Sequence, residues 1–550
     1  MGIRRLLIVF TFPASLYFLP AHAQNNATGG GRNLKTEAWV PDLGNGRYRN
    51  PVLFADYSDP DVCRAGSDYY LVASSFDAVP GLPVLHSRDL VNWTLIGHAL
   101  ITQPPFLHFS STRHGDGVWA PAIRYHNDSF YIYYPDPDFG IYLVKARNPA
   151  GPWTEPVLVK AGKGLIDPCP FWDDDGQLYL VHAFAGSRAG IKSIIAINKL
   201  DKSGTQFTDK GVIVYDGHHT DPTIEGPKLY KRNGYYYIFA PAGGVKQGYQ
   251  LVLRSRHIYG PYARKVVMAE GKSGINGPHQ GAWITTPDGK QDWFIHFRDM
   301  NAYGRVTYLE PMKWINDWPV IGIDKDGNGT GEPVSTYAIP SVGRHYPQAV
   351  PATSDEFNGI SLGLQWQWQA NPRSTWYFMT NGSLRLYGQP YDTSHRNYWD
   401  VPNVLMQKFP AEAFTATAKL TFNALHPGDR TGMIVMGTDY AGLSLTKTSG
   451  GFQLAYISCM RADKGTAEQS DNILTSVDST FYFRVTVRPN ARCTFSYSTD
   501  GKHYIPAGET FQAMPGRWIG AKLGLFCNSI RKTNDAGYAD FDWFSVRPLP

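Results

Sequence analysis

Short alternating runs of apolar and polar residues dominate the chain from about residue 50 to residue 340, where helical periodicity is nearly absent. Alternation with a period of two is the pattern of β-strands. The runs recur in one order: a polar motif with a carboxylate, an apolar strand, a turn, a Tyr-rich alternating strand, and a turn with Trp or a Pro-aromatic pair. This self-similarity predicts a repeat architecture built from strands.

Five such units begin at Asp59-Pro60, Trp119-Ala120-Pro121, Asp167-Pro168, Asp221-Pro222 and Pro278-His279. Each unit is long enough for about four strands, which predicts a five-bladed β-propeller over residues 41–345. The innermost strand of every propeller blade lines the central axis. We therefore expect polar residues at the starts of the units to converge on one funnel.

A different pattern begins near Ser354, after a Pro-bearing segment (340–351) that is interpreted as a linker. Residues 354–550 show alternating strands, such as Phe483-Arg484-Val485-Thr486-Val487, without the theme of the five units. This pattern is typical of a β-sandwich. The chain is thus predicted to be all-β, with a propeller followed by a sandwich.

The N-terminus has the features of a secretory signal peptide over residues 1–23: Arg4 and Arg5, an apolar stretch, and Ala21-His22-Ala23 before Gln24. Residues 24–40 are interpreted as a flexible leader. The apolar stretch is broken by prolines and is too short for a membrane anchor. No Cys follows it where a lipoprotein would be acylated, so we expect a protein of the periplasm or the extracellular space, without a membrane span.

Charge and cysteine content narrow the function classes. The formal net charge is +5, and basic residues are scattered rather than clustered, so nucleic acid is not an expected partner. Five cysteines are an odd number spread over 550 residues, which is not a disulfide scaffold but leaves room for one pair. Neither a C-x-x-C pair nor an H-E-x-x-H motif occurs, so zinc chemistry is not expected.

Three carboxylates recur at the starts of units: Asp59 in Ser58-Asp59-Pro60, Asp167 in Ile166-Asp167-Pro168, and Glu225 in Ile224-Glu225-Gly226-Pro227. A single Asp-Pro is usually only a turn or strand start, but three acids in register favour one shared site. Glycoside hydrolysis needs a protonated carboxyl for the leaving oxygen and an ionised one to activate water. A third acid can raise the pKa of the proton donor by like-charge repulsion.

The chain resembles glycoside hydrolase family 43 over both predicted domains. The resemblance rests on Asn50-Pro51-Val52-Leu53, Tyr57-Ser58-Asp59-Pro60-Asp61, Trp119-Ala120-Pro121 and Gly304-Arg305, besides the motifs around Asp167 and Glu225. It implies Asp59 as general base, Glu225 as general acid and Asp167 as the residue that tunes and positions the acid. It also implies inversion, for which the Asp59 and Glu225 carboxyls should lie about 6.5 to 9.5 Å apart.

The same resemblance suggests residues that contact the sugar. It matches His279 to a histidine near the axis, beside calcium or its waters in several members, and Arg305 to an arginine that reaches the sugar, with Arg298 as its rival. Phe76, Trp119 and, less strongly, Trp172 are candidates for aromatic walls against a sugar ring. Any one of these aromatics is also explained by packing alone.

The stretch from Phe76 to Ser87 resembles a branch of the family with exo-acting enzymes. It implies a rim loop that brings His86 or Asp77 near the sugar.

The sandwich resembles the lectin-like domain of such enzymes in Asp355-Glu356-Phe357-Asn358-Gly359, Trp366-Gln367-Trp368 and the segment around Asp542. In relatives this domain lends a loop that closes the pocket, which implies exo action. Glu356 and Asp542 are candidates for a shared structural cation, with an ordinary surface role equally open. No cofactor is expected for the reaction itself; a structural calcium is expected, if anywhere, near His279 or in the sandwich.

The expected function is an inverting exo-glycosidase that releases non-reducing-end α-L-arabinofuranosyl units from plant cell-wall polysaccharide side chains or oligosaccharides. The preference for arabinose rests on the resemblance of Val79-Pro80-Gly81-Leu82-Pro83. A β-D-xylosidase or an enzyme of dual specificity is the alternative, and a non-catalytic carbohydrate-binding propeller is a weaker one. Fructan hydrolases of family 32 share a propeller and sandwich, but their Asn-Asp-Pro-Asn-Gly motif is absent from this chain.

Overall fold

A computed structural model describes residues 36–391, 395–530 and 535–549. The predicted signal peptide (1–23) and most of the predicted leader (24–40) lie outside the described residues. Within these ranges, no helix has both the length and the apolar character needed to cross a bilayer.

Five antiparallel sheets form the blades of a propeller, as the repeats predict. Two strands precede the first blade, β1 (Arg47–Arg49) and β2 (Leu53–Asp56). The first two blades are β3 (Asp61–Ala65), β4 (Asp68–Val72), β5 (Gly81–Ser87) and β6 (Trp93–Leu100), then β7 (Ala122–His126), β8 (Ser129–Asp136), β9 (Gly140–Ala146) and β10 (Val157–Ala161). The next two are β11 (Leu165–Trp172), β12 (Leu178–Phe184), β13 (Ile194–Lys199) and β14 (Val212–Asp216), then β15 (Lys228–Arg232), β16 (Tyr235–Ala242), β17 (Tyr249–Ser255) and β18 (Ala263–Met268).

The fifth blade closes the ring. It contains β19 (His279–Thr285), β20 (Asp292–Asp299), β21 (Arg305–Ile315) and β22 (Trp318–Ile321). The early strand β2 pairs with β21, with Leu53 opposite Thr307, so the first segment of the propeller completes its last blade. A further strand, β23 (Thr336–Ala338), pairs with β1.

Local sequence explains the hairpins within the blades. Asn233 and Gly234 connect β15 to β16 with φ angles of 50° and 70°, the left-handed conformation that Asn-Gly adopts readily in tight hairpins. Asp175 and Gly176 lie between β11 and β12, where Gly176 has a φ of 80°. Apolar side chains from neighbouring blades pack together between the sheets, so the hydrophobic core is a set of layers around the axis.

The second domain is a two-sheet sandwich. One sheet contains β24 (Gln367–Trp368), β27 (Gln389–Pro390), β28 (Leu405–Lys408), β30 (Arg430–Met436), β31 (Tyr440–Thr448), β32 (Gly451–Cys459), β33 (Gln469–Ser476) and β37 (Lys522–Ser529). The other contains β25 (Tyr377–Thr380), β26 (Ser383–Tyr387), β29 (Phe414–Asn423), β34 (Thr480–Arg488), β35 (Arg492–Ser498), β36 (Ile505–Gln512) and β38 (Tyr538–Pro548). Helical structure in the described residues is confined to α1 (Gly186–Ala189) and a few 3₁₀ turns. The predicted all-β fold class is confirmed.

The two domains share one hydrophobic core. Phe54, Tyr303 and Val306 of the propeller belong to the same buried cluster as Trp366 and Phe544 of the sandwich. All five cysteines are buried and free, so the one pair left open by the sequence is not formed.

Candidate active site

Asp59 lies in the short connection between β2 and β3, at one mouth of the propeller. It is 4% exposed, and its carboxylate accepts hydrogen bonds from the hydroxyls of Ser58 (3.0 Å) and Ser74 (2.6 Å). Arg305 Nη1 lies 3.1 Å from Asp59 Oδ1. Arg305 and the hydroxyls of Ser58 and Ser74 thus hold the Asp59 carboxylate in place at this mouth.

Asp167 occupies the corresponding position in the third blade. Asp59 and Asp167 share a left-handed backbone, with φ angles of 53° and 57°, a conformation that Asp tolerates better than most residues. Asp167 is 1% exposed, and its Oδ2 accepts the backbone N–H of Gly226 at 2.7 Å. This hydrogen bond ties it to the residue that follows Glu225.

Burial and the neighbouring Glu225 carboxyl raise the pKa of Asp167 to about 8, and the charge of Asp59 acts in the same direction. Acids that interact this strongly titrate as a pair and hold one proton between them. The Gly226 N–H favours the ionised form on the Asp167 side. Glu225 is the more open partner, with 31% of its side chain exposed. Glu225 is thus the member of the pair that faces the funnel.

His279 lies against the exposed member of this pair. It begins β19, it is completely buried, and its Nε2 lies 2.9 Å from Glu225 Oε1. The contact fixes the direction of the Glu225 carboxyl. The structure thus brings together four of the residues that the sequence singles out, Asp59, Asp167, Glu225 and His279, from four different blades.

Arg305 and its rival Arg298 have different surroundings. Arg305 contacts Asp59, while Asp56 accepts its backbone N–H at 2.8 Å. Arg298 instead donates to Asn276 Oδ1 at 2.8 Å and lies beside Tyr308. Only Arg305 of the two contacts the acid residues.

Aromatic rings flank the acids. Phe76 and Trp119 contact each other at 6.4 Å between ring centroids, and Trp119 contacts Trp518 at 5.9 Å. The Arg305 guanidinium lies 5.7 Å from the Trp518 ring. Trp518 belongs to the sandwich and is half exposed, so the second domain contributes one wall of the pocket.

Two family models match the chain, one for each domain. The model described as "Glycosyl hydrolases family 43" matches residues 48–319, and the "Beta xylosidase C-terminal Concanavalin A-like domain" matches residues 354–547. A provisionally named beta-xylosidase of Xylanibacter ruminicola is 41% identical over 513 residues, which cover 90% of this chain and 89% of that protein. The chain belongs to glycoside hydrolase family 43.

Other members of family 43 match over the same length. The "Non-reducing end alpha-L-arabinofuranosidase BoGH43B" of Bacteroides ovatus is 30% identical over 534 residues, covering 91% of this chain and 95% of that protein. The crystal structure of the GH43 protein BlXynB from Bacillus licheniformis superposes with a TM-score of 0.77 at 25% identity, covering 92% of this chain and 100% of that one. The chain is therefore a two-domain family 43 glycoside hydrolase.

Trp172 does not wall the sugar site of this family 43 protein. It ends β11, stacks on His126 at 4.4 Å, and lines a cavity of about 390 Å³ where the inner strands end. Asp167 lies five residues earlier on the same strand, at its other end. The expectation for Trp172 was wrong because an inner strand carries its residues from one mouth of the propeller to the other.

The expected rim loop between Phe76 and Ser87 is also corrected. Residues 81–87 form β5, and His86 Nε2 lies 2.7 Å from Asp68 Oδ1, at the far end of the first blade. Asp77 stays near the pocket but contacts His114 Nδ1 at 3.4 Å. Val79, between them, exchanges backbone hydrogen bonds with Trp368. Val79 and Pro80 are therefore used for domain docking, and residues 81–87 belong to the first blade.

A structural calcium near His279 or in the sandwich stays a prediction. His279 Nε2 contacts Glu225, and calcium prefers oxygen ligands. In the sandwich, Glu356 is exposed, and Asp542 pairs with Lys419 at 2.5 Å. Across the described residues, no three His, Cys, Asp or Glu side chains converge as a metal site.

Sequence reasoning missed Trp518 and Ser74. Trp518 follows Pro515-Gly516 and has a φ of 63°; the turn signal is visible, but its contact with Trp119, about 400 residues away, is not. Ser74 lies just past the end of β4, where the apolar strand pattern does not mark it as part of a site.

Proposed function

We propose that the protein is an inverting, exo-acting pentosidase in which Asp59 is the general base, Glu225 the general acid and Asp167 the residue that tunes and positions the acid. The observation that carries the proposal is the convergence of three acids from three blades. They differ in environment: Asp59 is bonded to Arg305 and two hydroxyls, whereas burial and the Glu225 carboxyl raise the pKa of Asp167. Inverting hydrolysis requires one ionised and one protonated carboxyl of this kind.

The reaction is a single displacement. Asp59 accepts a proton from water as the water oxygen bonds to the anomeric carbon, while the bond to the leaving oxygen breaks and Glu225 gives that oxygen its proton. His279 keeps the donating carboxyl in place. Asp167 keeps negative charge beside Glu225, which resists losing the proton before the sugar arrives.

Exo action is supported by the walls of the pocket. Trp518 of the sandwich and Trp119 of the second blade contact each other across the mouth. Beside them, Arg188 forms ion pairs with Asp116 at 2.8 Å and Asp138 at 3.3 Å. A pocket closed on this side suits one terminal sugar better than the middle of a polysaccharide.

We place β-D-xylopyranosyl first among the sugars and α-L-arabinofuranosyl second. The relative that is 41% identical carries a xylosidase name, and the arabinofuranosidase of B. ovatus is 30% identical. The sequence alone favoured arabinose, through the Val79-Pro80-Gly81-Leu82-Pro83 resemblance, but Val79 and Pro80 of that segment are used for domain docking. The proposed substrates are plant cell-wall oligosaccharides, met in the periplasm or outside the cell.

The test compares initial rates on 4-nitrophenyl β-D-xylopyranoside and α-L-arabinofuranoside. We expect hydrolysis of both, with the xyloside faster, and a fall of about 10²- to 10⁴-fold in Glu225→Gln. Glu270→Gln, which changes an exposed acid of the same blade, is the matched control and should keep wild-type rates. Equal rates in Glu225→Gln and wild type would reject the acid assignment; a faster arabinofuranoside would reverse the order of sugars.

A further inference from the structure

Lys228 is a buried cation behind the acids. It is the first residue of β15, it is 1% exposed, and its Nζ has no hydrogen-bond partner among the described residues. Burying a charged group without a direct partner is unfavourable. Such a residue at the edge of a site is a candidate for a functional role.

The backbone links Lys228 to the acid pair. Two residues before it, Gly226 donates its N–H to Asp167 Oδ2 at 2.7 Å. Gly226 is also packed against Gln280, whose Cγ would lie 2.6 Å from an added Cβ, so a larger residue at this position would clash. The charge of Lys228 lowers the pKa of Asp167, against the raising effects of burial, Glu225 and Asp59.

The other charges near the axis are paired. Arg305 of β21 lies 3.1 Å from Asp59, and Arg124 of β7 lies 2.6 Å from Asp61 of β3. His279 of β19 contacts Glu225. The field of each paired cation is largely offset by its own acid, whereas no carboxylate among the described residues hydrogen bonds to Lys228.

We propose that Lys228 is a positioning residue of this site, and that its buried positive charge behind Asp167 favours the proton shared by the acid pair lying on Glu225. The inference rests on the proposed function, because only a general acid needs the proton on Glu225. The charge of Lys228 and the hydrogen bond from the Gly226 N–H both stabilise negative charge on Asp167 rather than on Glu225. Because Lys228 is 1% exposed, we expect it to act through the acid pair rather than on the sugar.

The test is the pH profile of kcat/KM for Lys228→Met and Lys228→Gln on the better nitrophenyl pentoside. Removing a positive charge makes both protons of the acid pair harder to lose. We therefore expect the alkaline limb, where the shared proton leaves, to move to higher pH by about one unit. Lys231→Met removes one positive charge from the same strand at its partly exposed end and should leave the limb in place.

Outcomes for the two proposals are separable. A Lys228→Met limb that overlays the wild-type limb, in a folded and active variant, overturns the role of Lys228. If the wild type hydrolyses no pentoside, the proposed function fails, and the melting temperature then tests Lys228 without activity. Loss of the cation raises the pKa of Asp167 further, so stability keeps falling up to a higher pH in the variant than in the wild type. Tm of Lys228→Met should therefore drop further below wild type between about pH 7.5 and 9. A difference in Tm that is constant over this range overturns the role of Lys228.

Discussion

At the scale of single residues, the site depends on giving three similar carboxyls different surroundings. Asp59 and Asp167 share the same left-handed backbone at the start of a blade. Asp59 meets Arg305 and Ser74, whereas Asp167 meets Glu225 and one backbone N–H. The partners rather than the acids themselves decide which carboxyl is ionised.

Asp167→Asn tests how the burial of Asp167 beside Glu225 affects the free energy of unfolding. The pKa of Asp167 is raised in the folded state, so the acid pair keeps a proton that the unfolded chain loses above about pH 4, and stability falls as pH rises towards 8. The amide removes this fall while still accepting the Gly226 N–H. We expect a variant with little activity whose stability relative to wild type is higher at pH 8 than at pH 5. Chemical denaturation at both pH values measures it; a gain independent of pH would contradict it.

At the scale of elements, a loop of the sandwich completes a pocket built by the propeller. Residues 513–521 connect β36 to β37 and carry Trp518. Gly520 in this loop donates its N–H to Asp56 Oδ2 at 2.9 Å, and Oδ1 of the same carboxylate accepts the Arg305 N–H. One buried aspartate thus places both Trp518 and the arginine beside Asp59.

Trp518→Ala should weaken the pocket without unfolding the domain. The ring is half exposed, so its loss affects the wall against the sugar more than the core. We expect kcat/KM on nitrophenyl pentosides to fall about tenfold, mostly through KM. Ile505→Ala, at an exposed position of β36, is the control. Unchanged kinetics in Trp518→Ala would show that the sandwich does not contribute to sugar binding.

At the scale of the whole molecule, the two domains are one packing unit. Phe54 and Tyr303 of the propeller share a buried cluster with the sandwich core, and the partly buried Lys408 lies near Asp56 at the junction, where its Nζ donates to Gln367 Oε1 at 3.0 Å. Burial of its charged end and the charge of Lys522 lower the pKa of Lys408 to about 7. The junction thus shields this ammonium group from water.

Calorimetry of the full chain tests whether the two domains unfold together. Because separating the domains would expose shared core, we expect one cooperative transition for both domains. Asp56→Ala removes a carboxylate that joins them and should lower Tm. Two well-separated transitions in the wild type would mean that the domains unfold independently.

Motifs that repeat along the chain were predictable from the sequence, whereas contacts between distant segments were not. Repeats with acids in register predicted the blades, and the positions of Asp59, Asp167 and Glu225 at one mouth followed from propeller geometry. Trp172 failed because the start and the end of an inner strand serve opposite mouths. Trp518 was not found because contacts between domains have no local pattern.

The stereochemistry of the product tests the proposed mechanism most directly. Proton NMR of the first turnovers on a β-D-xylopyranoside distinguishes the anomer released before mutarotation mixes the two forms. With Asp59 activating water across the ring from Glu225, we expect α-D-xylose to appear first, or β-L-arabinose from an α-L-arabinofuranoside. First appearance of the anomer that retains the configuration of the substrate would contradict the assignment of Asp59 as base.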